Sequence, residues 1–192
     1  MDKKKIISLI SSIFIMVAAV VVLLALFTPY LEYHFWQEPN DNVVEFNKFK
    51  YTLFSAGLAD EMSAHFLQFK ERSWLMYMSD AMVIVGVLTI ILTFALGVLE
   101  GLSFVPALNK FIKKFKNWFG LAVIIAGGLF LLFSFIFFLG SNQVYKVGTS
   151  NSGYNIRQWK GSFGWWAIAV CSMLGGILAF RKGFKKFNIQ EL

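Results

Sequence analysis

The sequence predicts an all-α membrane protein: a left-handed bundle of four transmembrane helices with a small extracytoplasmic β-hairpin or sheet and a short amphipathic helix. Three observations support this fold class. Four long apolar runs contain no Asp, Glu, Lys, Arg or His. The segments that join these runs differ sharply in their content of lysine and arginine. The two longest joining segments alternate apolar and polar residues and contain turn residues, which is typical of strands.

The four apolar runs occupy 6–27, 81–99, 119–140 and 163–180. A helix rises 1.5 Å per residue, so about 20 apolar residues cross a hydrocarbon core of about 30 Å. The first run is longer than the roughly 7–15 apolar residues of a signal peptide, and its exit is a poor cleavage site. We therefore expect it to remain as a span, within a single membrane domain over 1–192.

The positive charges predict the orientation of this domain. Of 18 Lys and Arg residues, 11 lie in the N-terminus, the short loop 100–118 and the C-terminal tail, and seven lie in the longer loops 28–80 and 141–162. Because Lys and Arg resist translocation, both termini should be cytoplasmic and the longer loops outside the cell, with the plasma membrane as the expected location. The net charge of +7 is not accompanied by a nucleic-acid-binding motif, so no nucleic-acid partner is predicted.

The two outer loops contain the predicted strands. Residues 30–36 and 43–53 are rich in β-formers and flank a turn, which indicates a hairpin. Residues 58–70 have the spacing of an amphipathic helix. In the second outer loop, 143–147 and 154–159 are also strand-like. A small sheet built from both loops would satisfy their backbone polar groups and cap the bundle.

Small and basic residues predict two kinds of contact in and around the bundle. Glycines allow membrane helices to approach closely. The candidate helix-packing positions are Gly127, Gly128, Gly175 and Gly176. Basic residues at the inner face should contact anionic lipid headgroups. The candidates for this contact are Lys110, Lys113, Lys114, Lys116, Arg181 and Lys182.

The chain offers little support for catalysis. Pumps and membrane enzymes usually carry ionisable residues within their spans, whereas the four apolar runs carry none. The two histidines, His34 and His65, lie in the first outer loop, each near a glutamate. A metal site there is conceivable but has no recognised ligand spacing, so no metal, cofactor or enzymatic activity is predicted. Cys171 lies inside the fourth run and is interpreted as a packing residue.

Short motifs carry a resemblance to a known family. Phe27-Thr28-Pro29-Tyr30 ends the first run, with Trp36 soon after, and Ala126 to Leu132 forms part of the third. Gly161-Ser162-Phe163-Gly164-Trp165-Trp166 opens the fourth, which continues with Gly175-Gly176 and Arg181-Lys182. Together with the order of spans and loops, these motifs resemble the claudin and peripheral myelin protein superfamily of tetraspans. That family's first loop carries a cysteine pair, and this loop has no cysteine.

The resemblance implies a non-enzymatic role in lateral assembly, cell-surface adhesion or membrane structure. The expected partners are membrane lipids and either further copies of the chain or other integral membrane proteins. Aromatic residues of the outer loops are the candidate contact surface. They are Tyr30, Tyr33, Phe35, Trp36, Tyr154 and Trp159. The alternatives are an accessory subunit of a channel, transporter or respiratory complex, and an enzyme or metal-dependent redox subunit that would use His34, His65 and nearby carboxylates.

Overall fold

The fold is seen in a computed structural model, which describes residues 3–39, 44–53, 73–141, 143–147 and 153–187. Three continuous α-helices lie in these ranges: α1 (Lys3–Leu24), α2 (Ser73–Leu102) and α3 (Pro106–Ser141). Their interiors consist almost entirely of apolar residues, whose backbone groups are satisfied within the helix.

The fourth helical region is interrupted by a wider segment. It begins with one α-helical turn, α4 (Phe163–Trp166), and passes through a π-helical segment, π1 (Ala167–Cys171). It then continues as α5 (Ser172–Phe187). At the end of π1, the Ser172 hydroxyl donates a hydrogen bond to the carbonyl oxygen of Ile168, and both residues are buried.

Four helical stretches are long and apolar enough to cross a membrane. They are Ile6–Leu24, Tyr77–Leu102, Phe115–Ser141 and Phe163–Phe180. The prediction of a four-span helical bundle is confirmed at this level, whereas the left-handed twist of the bundle remains a prediction. The four stretches are compatible with a multi-pass integral membrane protein.

The helices α2 and α3 extend well beyond the apolar runs. The segment 100–118, predicted as a loop, is helical except for a three-residue turn at 103–105. Pro106 opens α3, where its missing N–H and fixed φ suit a first helical position. Hydropathy marks where the hydrocarbon ends, and the lysines that follow are good helix formers, so the helix continues past that boundary.

Both long loops contribute strands to one antiparallel sheet, in the order β2-β1-β4-β3. Its strands are β1 (Leu31–Pro39), β2 (Val44–Tyr51), β3 (Gln143–Val147) and β4 (Gly153–Gly161). The first two strands form one hairpin and the last two form another. The hairpins join along β1 and β4, from Leu31 opposite Gly161 to Pro39 opposite Gly153. The amphipathic helix predicted at 58–70 lies outside the described residues.

Two groups of buried apolar residues hold the bundle together. The larger group lies next to the sheet and includes Tyr30, Phe137 and Trp159. The smaller group includes Ile15 and Ala179. The smaller group lies toward one end of the bundle. That end contains the start of α1, the turn 103–105 and the end of α5. We call this end the lysine-rich end, because the basic clusters of the sequence fall there.

Candidate functional site: the junction of the sheet and the bundle

The sheet is attached to the bundle where two chain segments leave it together. The pairing of β1 with β4 ends at Leu31 and Gly161. Beyond that point, the Ser162 N–H donates to the Tyr30 carbonyl oxygen at 3.0 Å, and the Gly164 N–H donates to the Pro29 carbonyl oxygen at 2.9 Å. The exit of the first span is therefore bonded to the entrance of the fourth. Two motifs that lie far apart in the sequence form one structural unit.

Two glycines of this unit leave no room for a side chain. A Cβ at Gly161 would lie 2.7 Å from Cε3 of Trp165. A Cβ at Gly164 would lie 3.0 Å from the Pro29 carbonyl oxygen. The spacing of the Gly161-Ser162-Phe163-Gly164-Trp165 motif is thus explained by close contact with the indole ring and with the backbone of the first span.

Trp165 links the junction to α3. Its Nε1–H donates to the Ser134 hydroxyl at 2.9 Å. Its ring also lies 6.2 Å from the ring of Phe130 and 5.8 Å from that of Phe138, measured between centroids. A tryptophan that is apolar on its faces and hydrogen-bonded at its N–H suits the boundary between bundle and sheet.

Two of the six predicted contact-surface residues lie inside the fold. Tyr30 is 0% exposed and Trp159 is 3% exposed, and the Trp159 ring lies 5.5 Å from that of Phe137. These two aromatic side chains fill the space between sheet and bundle, so neither presents a surface to a partner, and the prediction is corrected for both.

The remaining four contact-surface candidates are placed by their backbone alone. Tyr33, Phe35 and Trp36 belong to β1, and Tyr154 belongs to β4. Their side chains are outside the described part of the structure, so their role stays a prediction.

The Tyr30 hydroxyl is buried without a hydrogen-bond partner within the described ranges, as is the Thr28 hydroxyl. Burial, and secondarily the negative charge of Asp80, raise the pKa of Tyr30 far above its ordinary value. The phenol therefore stays neutral at all physiological pH values. Tyr30 behaves as an apolar core residue with an unsatisfied polar end.

A small polar cluster lies above the junction. Ser162 Oγ donates to Glu32 Oε1 at 3.1 Å, and His34 Nε2 lies 3.3 Å from Glu32 Oε2. The carboxylate stands between the hydroxyl and the imidazole. Nucleophilic catalysis needs the base next to the hydroxyl, so this order of groups favours a structural network over an activated serine.

The predicted alternative of a metal site falls largely outside the described ranges, because Glu61 and His65 lie there. Among the residues that the structure describes, no three His, Cys, Asp or Glu side chains are grouped so that they could hold a metal ion. His34 is nearly buried and contacts Glu32.

The predicted packing glycines differ in their surroundings. A Cβ at Gly127 would lie 3.0 Å from Met173 Sδ, and one at Gly176 would lie 3.0 Å from the Gly120 carbonyl oxygen. At Gly175 it would meet Ala18 Cβ at an ordinary 3.7 Å. Gly128 has no neighbouring atom within 4 Å of that position. Three of the four glycines therefore lie at helix contacts, and Gly128 does not.

The lysine-rich end contains a buried ion pair that the sequence did not predict. Lys116 Nζ contacts Glu100 Oε2, with side-chain exposures of 12% and 1%. Lys116 was predicted to contact lipid headgroups, and this ion pair is its observed role instead. The other five predicted lipid contacts, Lys110, Lys113, Lys114, Arg181 and Lys182, lie in α3 and α5, with side chains outside the described part.

Ionisable residues also lie within the stretches that are long and apolar enough to cross a membrane. The stretch Tyr77–Leu102 includes Asp80 and Glu100, and Phe115–Ser141 includes Lys116. These stretches are longer than the uncharged runs, so the argument from uncharged runs against pumps and membrane enzymes does not extend to them. A single glutamate directly after an apolar run, facing a lysine cluster across a short turn, was the available signal for the pair.

No family model matches this chain, and no curated protein matches it at a significant level. The fold and the junction therefore define its class: a protein with four helices of membrane-spanning length and a four-stranded sheet attached to the bundle.

Proposed function

We propose that this chain is a non-enzymatic, claudin-like membrane protein that assembles laterally in the plasma membrane or takes part in cell-surface adhesion, with its sheet as the contact element. The observation that carries the proposal is the sheet itself. Strands from both long loops form one unit, and hydrogen bonds at 2.9 Å and 3.0 Å attach this unit to the first and fourth spans. An interface that is already formed before binding usually changes little when a partner binds, which supports the sheet as a contact element.

The proposed orientation places the sheet outside the cell and both termini in the cytoplasm. Its support is the concentration of Lys and Arg in the chain ends and in the segment 100–118. The helices α1 and α2 are antiparallel, because Gly97 lies against Ala19 while the later Gly101 lies near the earlier Met16. This keeps the start of α1 and the end of α2 at the same end of the bundle.

The proposed contact lies along the sheet edges. In the order β2-β1-β4-β3, the outer strands β2 and β3 each pair on one side within the described residues. Such an edge presents backbone N–H and C=O groups that can pair with another strand. Charged residues protect an edge from pairing, and β2 carries Glu45, Lys48 and Lys50, whereas β3 carries Lys146 alone. We therefore favour β3.

The test is cysteine cross-linking combined with a mass measurement. In a Cys171→Ala background, Tyr145→Cys places a thiol on β3, and Asn155→Cys places one directly opposite on the interior strand β4. Oxidation in native membranes should produce dimers of the Tyr145→Cys variant and few dimers of the Asn155→Cys variant. Light scattering in mild detergent should give at least a dimer for the parent chain.

Two results would contradict this proposal. Equal cross-linking of both variants would show random collision rather than pairing through β3. A monomer in detergent, with cross-links only to unlike membrane proteins, would instead support the role of an accessory subunit in a larger complex.

A further inference from the structure

We propose that the lysine-rich end of the α2–α3 hairpin is a binding surface for anionic phospholipid, with an exposed aromatic arc in the acyl boundary and three lysines at the headgroups. This inference goes beyond lateral assembly and does not depend on it. It rests on three features: the length of α3, the different residues on three sides of its first turns, and the ion pair that holds Lys116 against Glu100.

Helix α3 is too long for the hydrocarbon core. Its 36 residues extend about 54 Å at 1.5 Å per residue. A core of about 30 Å and a whole bilayer of about 40–45 Å leave the first turns of α3 at the edge of the headgroup layer. Lys110, Lys113 and Lys114 lie in these first turns and directly precede the membrane-length stretch Phe115–Ser141, which would bring them to the depth of the phosphate groups.

The inward face of this segment is already occupied. Ile112 and Lys116 are spaced four apart and so share one side of the helix. Ile112 is buried, and Lys116 contacts the buried carboxylate of Glu100 on α2. This side therefore holds α3 against α2 and cannot also serve a ligand.

The second face is an exposed aromatic arc formed by Phe111, Phe115 and Trp118. Phe111 and Trp118 are each 69% exposed, and Phe115 is 40% exposed. The rings of Phe111 and Phe115 lie 4.8 Å apart, so they form one continuous apolar surface. By helical spacing this surface continues into the exposed Ile125 and Leu129 of the span, which face outward from the bundle.

The identity of the occupant follows from this continuity. Ile125 and Leu129 lie in a stretch long and apolar enough to cross a membrane, where acyl chains cover an outward face. The same surface reaches the aromatic arc without a break, and Trp and Phe are common at the membrane boundary. Lipid is thus a better fit to the arc than a soluble protein.

The third face carries three lysines in its sequence. Helical spacing places Lys110, Lys113 and Lys114 together on the side away from both the arc and the inward face. The segment 101–118 contains no acidic residue, and the preceding Glu100 is paired with Lys116. These three lysines would attract the headgroups of an anionic leaflet.

The test compares two triple variants of the full chain with equal changes of charge. Lys110→Gln, Lys113→Gln and Lys114→Gln remove the proposed site. Lys48→Gln, Lys50→Gln and Lys160→Gln remove three lysines from the sheet. Each protein is placed in mixed micelles of phosphatidylglycerol and phosphatidylcholine, and retained lipids are counted by native mass spectrometry.

We expect the hairpin variant to lose phosphatidylglycerol retention by about a hundredfold, because three headgroup contacts, each worth about fivefold in affinity, disappear together. The sheet variant should stay within about twofold of the parent by the same reasoning. Lys→Arg changes at the three hairpin positions should preserve retention, and would also report on binding if the glutamine variant failed to fold.

Two results would overturn the inference. Unchanged phosphatidylglycerol retention in the hairpin variant would show that this surface does not bind the lipid, and that it binds either a protein or no ligand. An equal loss in both triple variants would show that net charge alone, rather than this surface, attracts the lipid.

Discussion

Glu100 and Lys116 illustrate how one residue pair can connect two spans. Removing a carboxylate and an ammonium group from water is costly, and their mutual contact offsets part of that cost. Glu100 is 1% exposed and lies three residues before Ser103, the first residue of the turn, whose hydroxyl donates to the Glu100 carbonyl oxygen at 2.6 Å. The pair therefore favours one alignment of α2 with α3. It contributes to stability only when both residues are present.

We expect Glu100→Met or Lys116→Met alone to lower the free energy of unfolding by about 3 kcal/mol, because each removes one partner of an ion pair and leaves the other charge in place. The double variant should recover most of this loss, since both charges are gone. The free energies of unfolding of the parent, the two single variants and the double variant form a double-mutant cycle. They would be measured by unfolding with sodium dodecyl sulfate in mixed micelles, with circular dichroism as the signal. Additive losses in the double variant would show that the two residues act independently.

Tyr30 carries a different residue-scale effect. Its hydroxyl is buried and lacks a partner within the described ranges, and its pKa is raised. Below about pH 10, the phenol is neutral in both folded and unfolded chains. Above that value the unfolded chain loses the proton first and so binds fewer protons, which makes folding stability fall as the pH rises.

Replacing Tyr30 with Phe should remove this loss. At pH 7 the variant should be as stable as the parent or up to about 1 kcal/mol more stable, because a buried unpaired hydroxyl disappears. Between pH 9.5 and pH 11 the parent should lose thermal stability faster than Tyr30→Phe, as followed by thermal unfolding in detergent. Parallel pH profiles for the two proteins would refute this account of Tyr30.

At the scale of elements, the helices meet where side chains are smallest. A Cβ added at Gly97 would overlap the Cβ of Ala19, so α1 and α2 approach at this point as closely as their backbones permit. Gly120 and Gly176 likewise lie at the close contact between α3 and α5. Membrane helices gain little from hydrophobic burial against one another, so this close packing is a main source of their association.

Gly97→Ala should therefore destabilise the bundle by about 1–3 kcal/mol through overpacking. Gly128→Ala is the matched control, because its added Cβ meets no atom within 4 Å and alanine is the better helix former. Thermal unfolding in detergent would separate them, with a lower midpoint for Gly97→Ala and an unchanged or higher midpoint for Gly128→Ala. Equal midpoints would show that α1 can shift away from α2 without cost.

The elements differ in how far local sequence predicted them. The strands near 30–36 and 154–159 were visible in the alternation of residues, and they correspond to β1 and β4. Hydropathy predicts a loop over 100–118, because Glu100 follows one apolar run and four lysines precede the next. Helix propensity and a leading proline continue the helix there, and hydropathy alone does not report them.

At the scale of the whole molecule, the sheet and the lysine-rich end lie at opposite ends of the bundle. Neighbouring helices are antiparallel, so the two hairpins of the sheet meet at one end and the turn 103–105 lies at the other. This separation allows one end to serve protein contacts and the other to serve lipid contacts, as proposed.

The proposed orientation predicts a simple labelling pattern. In a Cys171→Ala background, an impermeant maleimide applied to intact cells should label Ser150→Cys, because positive charges keep the opposite end inside. Lys185→Cys should react only after the cells are permeabilised. Labelling of Lys185→Cys on intact cells would show that the proposed orientation is wrong, and with it the proposed roles of both ends.

The sequence by itself determined the number of spans and the existence of strands in both long loops. Uncharged runs of sufficient length have few alternatives to crossing a bilayer, and period-two alternation is a local property. It could not determine which residues meet. Only the tertiary structure placed Tyr30 and Trp159 in the core, bonded Pro29 to Gly164, and paired Glu100 with Lys116. These contacts join segments far apart along the chain or across a turn, and their geometry depends on how closely the helices pack.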